Sequence, residues 1–367
     1  MRDKADLEQR QHLPLRAKIL MSQNRIREWY EHFNGDVYVS FSGGKDSTVL
    51  AHLVHDIYPD VPLVFGDTGL EYPEIRKFSD KMGAQLIRPE MSFVEVLTVY
   101  GYPIVSKEVA EAIYAARRMD DHAKQWRDSK RNELMGKRIT KDGERSLYNK
   151  TKWLPLCRDT DFKIAHWCCH VMKKNPFKAF EKRTGLKPYI GNLAEESKLR
   201  TLAWLRNGCN AFDSSRQVSQ HLSFWTEQDI LEYIRLNDLE IPSVYGKIVA
   251  IDDDGFEYDP AMGAGKLVCT GVNRTGCIFC GFSTHREKGE TKFQKLARTH
   301  PKQYDYCMRG GQYVDNPDYD PNAPAVDGDW VNWNPQKIWV PSKEGLGMKH
   351  VFDRCNELYG KDFIRYE

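Results

Sequence analysis

The sequence predicts an α/β fold: a parallel sheet with helices on both faces, preceded by a helical segment and followed by a smaller cysteine-containing region. Two observations predict it. Short β-branched or aromatic runs (Val37–Phe41, Leu63–Phe65 and Gln85–Ile87) alternate with longer stretches of helical apolar spacing. Alternation of this kind implies parallel strands joined by right-handed helical crossovers. The first run also ends in Ser42-Gly43-Gly44-Lys45-Asp46-Ser47, a glycine turn that opens directly into a helix over Thr48–Ile57.

Before that strand, residues 5–33 read as one or two helices. Leu15, Ile19, Leu20, Ile26, Trp29, Tyr30 and Phe33 form the apolar stripe, and Pro14 suits a first helical turn. The glycine turn is the geometry that holds phosphate, because unpaired N–H groups of a first helical turn and the helix dipole both favour an anion. Gly43 and Gly44 allow close backbone approach, Ser42 and Ser47 offer hydroxyls, Lys45 a point charge, and Asp46 a carboxylate suited to Mg²⁺. The spacing is neither a Walker A loop nor the Gly-x-Gly-x-x-Gly of dinucleotide folds. The strand Leu63–Phe65 ends at Gly66-Asp67-Thr-Gly69, where Asp67 is placed for ribose or Mg²⁺. A helix follows with Pro73 near its first turn, and Gln85–Ile87 is the third strand.

Composition narrows the class. The 367 residues suffice for two domains, and 54 basic against 52 acidic residues give no whole-protein field for nucleic acid. No apolar run approaches a membrane span and Met1–Asp6 is no signal peptide, so the cytoplasm is the expected location, without membrane contact. In that reducing setting, nine cysteines point to a metal, a cluster or thiol chemistry rather than disulfides. Cys168-Cys169 and Cys277-x-x-Cys280 together supply four ligands, enough for Zn²⁺ or a 4Fe-4S cluster, and spacing does not choose between them. Residues 124–152 are rich in Lys and Arg with Trp126 and Tyr148 interleaved; such a segment suits a phosphate backbone or a solvated insertion.

Ser-Gly-Gly-Lys-Asp-Ser resembles the signature of the PP-loop ATP pyrophosphatases, which split ATP into AMP and pyrophosphate to adenylate an oxygen. Followed by Asp67-Thr-Gly-Leu-Glu71-Tyr-Pro-Glu74 and Tyr102-Pro-Ile-Val-Ser-Lys107, it resembles the phosphoadenylylsulfate reductase branch. The resemblance implies a Rossmann-like, adenine nucleotide alpha hydrolase-like domain. It implies catalytic roles for Lys45 and Asp46, and nucleotide contacts from Ser42, Gly43, Gly44, Lys45, Asp46, Ser47, Asp67, Ser106, Lys107 and Arg200. The cysteine pairs resemble those of cluster-binding sulfonucleotide reductases, with Cys168, Cys169, Cys277 and Cys280 as ligands and Lys173 beside them. In that family's motifs Met172 stands for an arginine, and Leu193 and Ala194 for an arginine pair, while Ser197 and Arg200 match. Phe224–Ile234 also fits, with Thr226 and Asp229 as a capping pair; the likeness runs from about Leu15 to Pro301.

The expected division is a helical segment 1–34, a nucleotide-binding domain 35–250 with a basic insertion at about 120–152, and a C-terminal region 251–367. That last region is expected to hold an acidic, glycine-rich loop over 251–275, the Cys-x-x-Cys, a helix bearing Arg286, Lys288, Lys292, Phe293 and Leu296, an irregular tail after Gly310 and a last helix around Val351–Leu358. The loop is intact, the arginine pair is missing, and no Glu-Cys-Gly motif closes the chain. The expected activity is therefore ATP-dependent activation of an oxygen for sulfur transfer, with ATP, Mg²⁺ and a 4Fe-4S cluster (or Zn²⁺). DNA phosphorothioate modification is the process most resembled. Its partners would be a cysteine desulfurase, nucleic acid through 124–152 and other modification-system proteins. The alternatives are a sulfonucleotide reductase using Cys307 or Cys355, and a non-catalytic ATP-binding regulator. Cys157, Cys209 and Cys269 are left open as sulfur carriers.

Overall fold

The computed structural model describes residues 3–118, 124–252, 254–258, 265–322 and 333–367. Parts of the expected basic insertion (119–123), of the acidic loop (253, 259–264) and of the tail (323–332) lie outside the described residues. Internal contacts divide the chain into two compact units, Met1–Pro89 with Asn175–Cys277, and Glu90–Lys174 with Ile278–Glu367. Each unit is assembled from stretches far apart in sequence, which local composition does not record.

In the first unit the sheet order is Gln85–Ile87, Leu63–Gly66, Val37–Phe41, Lys187–Ile190, Val218–Ser219, Asn210–Ala211. All pairs are parallel except the last, where Asn210–Ala211 runs antiparallel along the edge. The three strands expected from sequence are present, and the architecture is the expected mixed α/β one. Val37–Phe41 sits between a strand that follows it closely and one that comes much later. The winding direction reverses there, and the carboxyl ends of such strands frame the crevice where open α/β sheets bind ligands.

Alternation along Val37–Phe41 explains why both faces are covered. Val37, Val39 and Phe41 pack with Val49, Leu50 and Leu53 of the helix Lys45–His55 and with Ile26 and Trp29 of the helix Leu15–His32. Tyr38 points the other way, onto Val64, Ile87 and Phe180, and its hydroxyl donates to Glu181 Oε1 at 2.8 Å. Each such aliphatic or aromatic side chain contributes about 1.5–3 kcal/mol through burial.

The N-terminal segment forms two helices, Lys4–Gln11 and Leu15–His32, with Pro14 immediately before the second. Leu20 does not join the stripe; it is 56% exposed. Lys18 and Ser22 lie on the buried face instead. Lys18 Nζ donates to Asp229 Oδ2 at 2.6 Å, and Ser22 Oγ accepts from Trp225 Nε1 at 2.9 Å. The Thr226–Asp229 capping pair is as expected, with both reciprocal bonds formed.

In the second unit, Ile104–Val105 pairs in parallel with Gly281–Phe282, and Gln312–Asp315 pairs antiparallel with Lys337–Val340. The expected irregular tail therefore contains a strand pair, and its expected last helix spans Met348–Tyr359. Arg286 and Lys288 do not share a helix with Phe293. Thr284–Arg286 is a separate short turn, Gly289 takes φ +68°, and the helix Lys292–Thr299 starts at a Thr291 cap. Within 124–152 the helix Lys124–Met135 carries a buried carboxylate, Glu133, that pairs with Lys130, Arg138 and Lys150. Part of the basic charge is thus held internally. Among the described residues no helix is long and apolar enough to cross a membrane.

Candidate functional site

The phosphate loop is built as the sequence implies. The strand ends at Phe41, Gly44 is the helix N-cap, and the helix begins at Lys45. Gly43 takes φ +69°, and a Cβ there would lie 2.6 Å from Ser79 Oγ and 2.8 Å from Ile75 Cγ2. Only glycine meets both demands. The hydroxyls brace the turn. Ser47 Oγ donates to Gly44 O at 2.9 Å and accepts from Ser42 N at 3.2 Å, and Thr48 Oγ1 donates to Gly44 O at 3.1 Å. Among the described residues the N–H groups of Gly43, Asp46 and Ser47 have no protein acceptor, which leaves them for an anion.

Lys45 is 4% exposed. Its Nζ donates to Asn273 O at 3.1 Å and lies 3.1 Å from Glu227 Oε1 and 3.8 Å from Asp46 Oδ1. Burial lowers its pKa, but Asp46, Glu227 and Tyr245 outweigh burial and hold it above the ordinary lysine value. Its N–H donates to Tyr245 Oη at 3.1 Å, and that hydroxyl is 2.9 Å from Thr275 Oγ1. Burial pushes the Asp46 carboxyl up, with Lys45 opposing. Asp46 Oδ1 is buried without a hydrogen-bond partner among the described residues. An orphaned hard oxygen beside a phosphate loop suits Mg²⁺, which would take Asp46 and phosphate oxygens as ligands.

Arg200 follows the Ser197 cap and pairs with Glu196, which also pairs with Arg274. Leu193 and Ala194, uncharged where the resemblance has arginines, are buried. Asp67 ends its strand as expected, but its Oδ2 is held by Arg76 at 3.2 Å and Arg88 at 3.1 Å. That pairing satisfies the buried carboxylate.

The remaining expected residues, Cys277 apart, belong to the second unit. Lys107 is exposed at the start of the helix Lys107–Ala116, capped by Ser106. Cys168 is buried; Cys169, Cys277 and Cys280 are half-buried. Among the described residues no three His, Cys, Asp or Glu side chains form a group that could hold a metal ion. Cys277 closes the first unit, while Cys168, Cys169 and Cys280 belong to the second.

Sequence reasoning missed Glu227, Tyr245, Asn273, Thr275, Glu196 and Arg274 as parts of this site. No local pattern marks them, because each joins the site through pairing distant in sequence.

The phosphoadenosine phosphosulfate reductase domain family matches residues 36–281. The chain belongs to this family. It is 36% identical over 72 residues to the phosphoadenosine 5'-phosphosulfate reductase of Photorhabdus laumondii, covering 20% of this chain and 30% of that one. It is 35% identical over 79 residues to that of Serratia proteamaculans, covering 20% and 32%. The match thus spans about a third of the length of these curated relatives. A crystal structure of phosphoadenylyl-sulfate reductase from Candida auris, a phosphate complex, aligns with TM-score 0.33 and 13% identity over 66% of this chain and 91% of that one. Membership makes this one of an enzyme family.

Proposed function

We propose that the protein is an ATP pyrophosphatase that adenylates a substrate oxygen for sulfur transfer. The substrate oxygen attacks the α-phosphorus of ATP, and pyrophosphate leaves with the electron pair of the bridging bond. A sulfur nucleophile then displaces AMP from the activated centre. Its source would be a persulfide made by a cysteine desulfurase, and the resulting disulfide would be opened by a thiol. Lys45 and the free N–H groups of the loop stabilise charge on the leaving pyrophosphate. Mg²⁺, when bound through Asp46, would add to that neutralisation.

The observation that carries the reading is the intact loop with a buried lysine and an orphaned carboxylate oxygen on it. A second favours it over the reductase alternative. Cys307 and Cys355 are both 0% exposed. Burial pushes both thiols up, Cys355 to about 12. Neither is a nucleophile in that setting. Nucleic acid as the substrate, such as DNA receiving a phosphorothioate, rests on the exposed basic residues Lys124, Lys141 and Lys152 of the 124–152 segment.

The test is product analysis. Purified protein with ATP and Mg²⁺ is expected to form AMP and pyrophosphate in equal amounts, and Lys45→Ala to form neither. Thiol-dependent release of sulfite from adenylylsulfate, with no AMP from ATP, would overturn the proposal in favour of the reductase. Binding of ATP with no turnover under any substrate condition would favour the regulator.

A further inference from the structure

The segment Gly271–Gly276 packs on Val244–Tyr245 and reaches the phosphate loop through Asn273 and Thr275. Gly271 N donates to Tyr245 O at 2.8 Å and Val272 N to Val244 O at 3.0 Å. A Cβ on Gly271 would lie 2.2 Å from Val244 O, so the strap sits as close as backbone permits. Asn273 O accepts from Lys45 Nζ at 3.1 Å, and Thr275 Oγ1 is 2.9 Å from Tyr245 Oη. Arg274 stands between these two anchors. Its backbone is fixed against the loop while its side chain is 63% exposed.

The Arg274 guanidinium is not isolated. It pairs with Glu196, and Arg200, 38% exposed, pairs with the other oxygen of the same carboxylate. Glu196 Oε2 also accepts from Leu193 N at 3.3 Å, which holds it in place. Two cations share one anion, so the trio carries a net positive charge. Each guanidinium has five N–H donors, and one carboxylate satisfies only a few of them. Burial and the neighbouring Arg274 depress the Arg200 pKa, while the charge of Asp46 raises it. Arg274 lies between Asn273, which accepts from Lys45 Nζ, and Thr275, whose hydroxyl meets Tyr245 Oη, so the pair stands beside the loop. Two like charges held together beside a phosphate loop are relieved by an arriving anion. The planar forks suit phosphate oxygens, which Arg binds two at a time.

We propose that Arg274 and Arg200, bridged by Glu196, form a second anion-binding element that grips the distal phosphates of a nucleotide seated on the phosphate loop. The strap that carries Arg274 would thereby make the site select polyphosphate over monophosphate. This rests on the reading of the site as one for ATP.

The experiment is calorimetric binding of ATP and of AMP to the full chain, for the unmodified protein and for Arg274→Ala, Arg274→Lys and Glu196→Gln. Arg274→Ala is expected to weaken ATP binding about tenfold and leave AMP binding within about twofold, as loss of one charge-assisted contact implies. Arg274→Lys keeps the charge and loses the fork, so it should fall between. Glu196→Gln removes the competing carboxylate and should tighten ATP severalfold, an effect that fades in salt. Equal weakening of ATP and AMP, or no weakening of either, overturns the arginine pair. An unmodified protein that binds neither nucleotide overturns both this inference and the function proposed above. ATP binding with the expected Arg274 dependence but no AMP formation supports the pair while sinking the proposed reaction.

Discussion

Lys45 Nζ lies 3.1 Å from Glu227 Oε1, so the phosphate-loop lysine already holds a carboxylate where a phosphate would be held. The two anions compete for one ammonium. Glu227→Gln should remove the competitor and tighten nucleotide binding roughly fivefold. Lys45→Ala should slow AMP formation by roughly a hundredfold or more, the scale for losing a donor to developing charge. Calorimetry and chromatography of AMP check the two. Unchanged affinity in Glu227→Gln would mean that the ion pair persists with nucleotide bound.

Asp46 carries a stability cost that reveals its purpose. Burial raises its pKa, so the folded chain holds this proton more tightly than the unfolded chain does. The stability from this group is present below the ordinary carboxylate value and lost as pH rises through the raised one. At neutral pH the charge therefore opposes folding. Asp46→Asn should unfold at higher urea than the parent near pH 7, with the gap closing towards about pH 4, while AMP formation is lost. A variant destabilised at neutral pH would contradict this.

His221 gives the opposite pH signature. It is 0% exposed, its Nε2 has no hydrogen-bond partner among the described residues, and burial pushes its pKa down to about 3. The unfolded chain binds the proton first, at the ordinary value of 6.5, so stability falls as pH drops from there towards about 3. His221→Gln should flatten that part of the pH dependence of the urea midpoint. An unchanged slope would show that carboxylates alone govern acid unfolding.

The buried pair Lys18–Asp229 joins the helix Leu15–His32 to the cap of Glu227–Leu236. Lys18→Met leaves Asp229 buried without its cation and should cost about 3–5 kcal/mol in equilibrium unfolding. Lys18→Met with Asp229→Asn should recover a large part of that. Additive losses would show that the pair is not coupled.

Cys307→Ala and Cys355→Ala should keep AMP formation within about twofold, because both thiols are buried side chains that act only through packing. Loss of turnover in either folded variant, judged by unchanged circular dichroism, would revive a cysteine nucleophile.

What was legible in the sequence is what short-range chemistry decides. Val37–Phe41, the Gly43 turn, the helix that follows it and the Thr226–Asp229 cap each follow from neighbours within a few residues. Lys18 was not legible, because a lysine on a helix reads as solvent-facing until a partner 211 residues away buries it. Glu227, Asn273 and Arg274 escaped for the same reason, since they reach Lys45 and Glu196 only once the chain has folded back. The cysteines mark the reverse case. Their spacing reads as one ligand set, while the fold divides them between two units, which spacing does not record.

The parallel pairing of Ile104–Val105 with Gly281–Phe282 has a consequence for how the protein is made. A ribosome delivers the first partner long before the second. The two halves of that unit are separated in synthesis by the whole of Asn175–Cys277, which completes the other unit. The segment Glu90–Lys174 must therefore wait, with buried residues such as Tyr102, Ile104 and Leu156 lacking their later neighbours, until the phosphate-loop unit has been synthesised in full. A nascent chain stalled before Gly281 would expose that apolar surface, and it is there that chaperones would be expected to act.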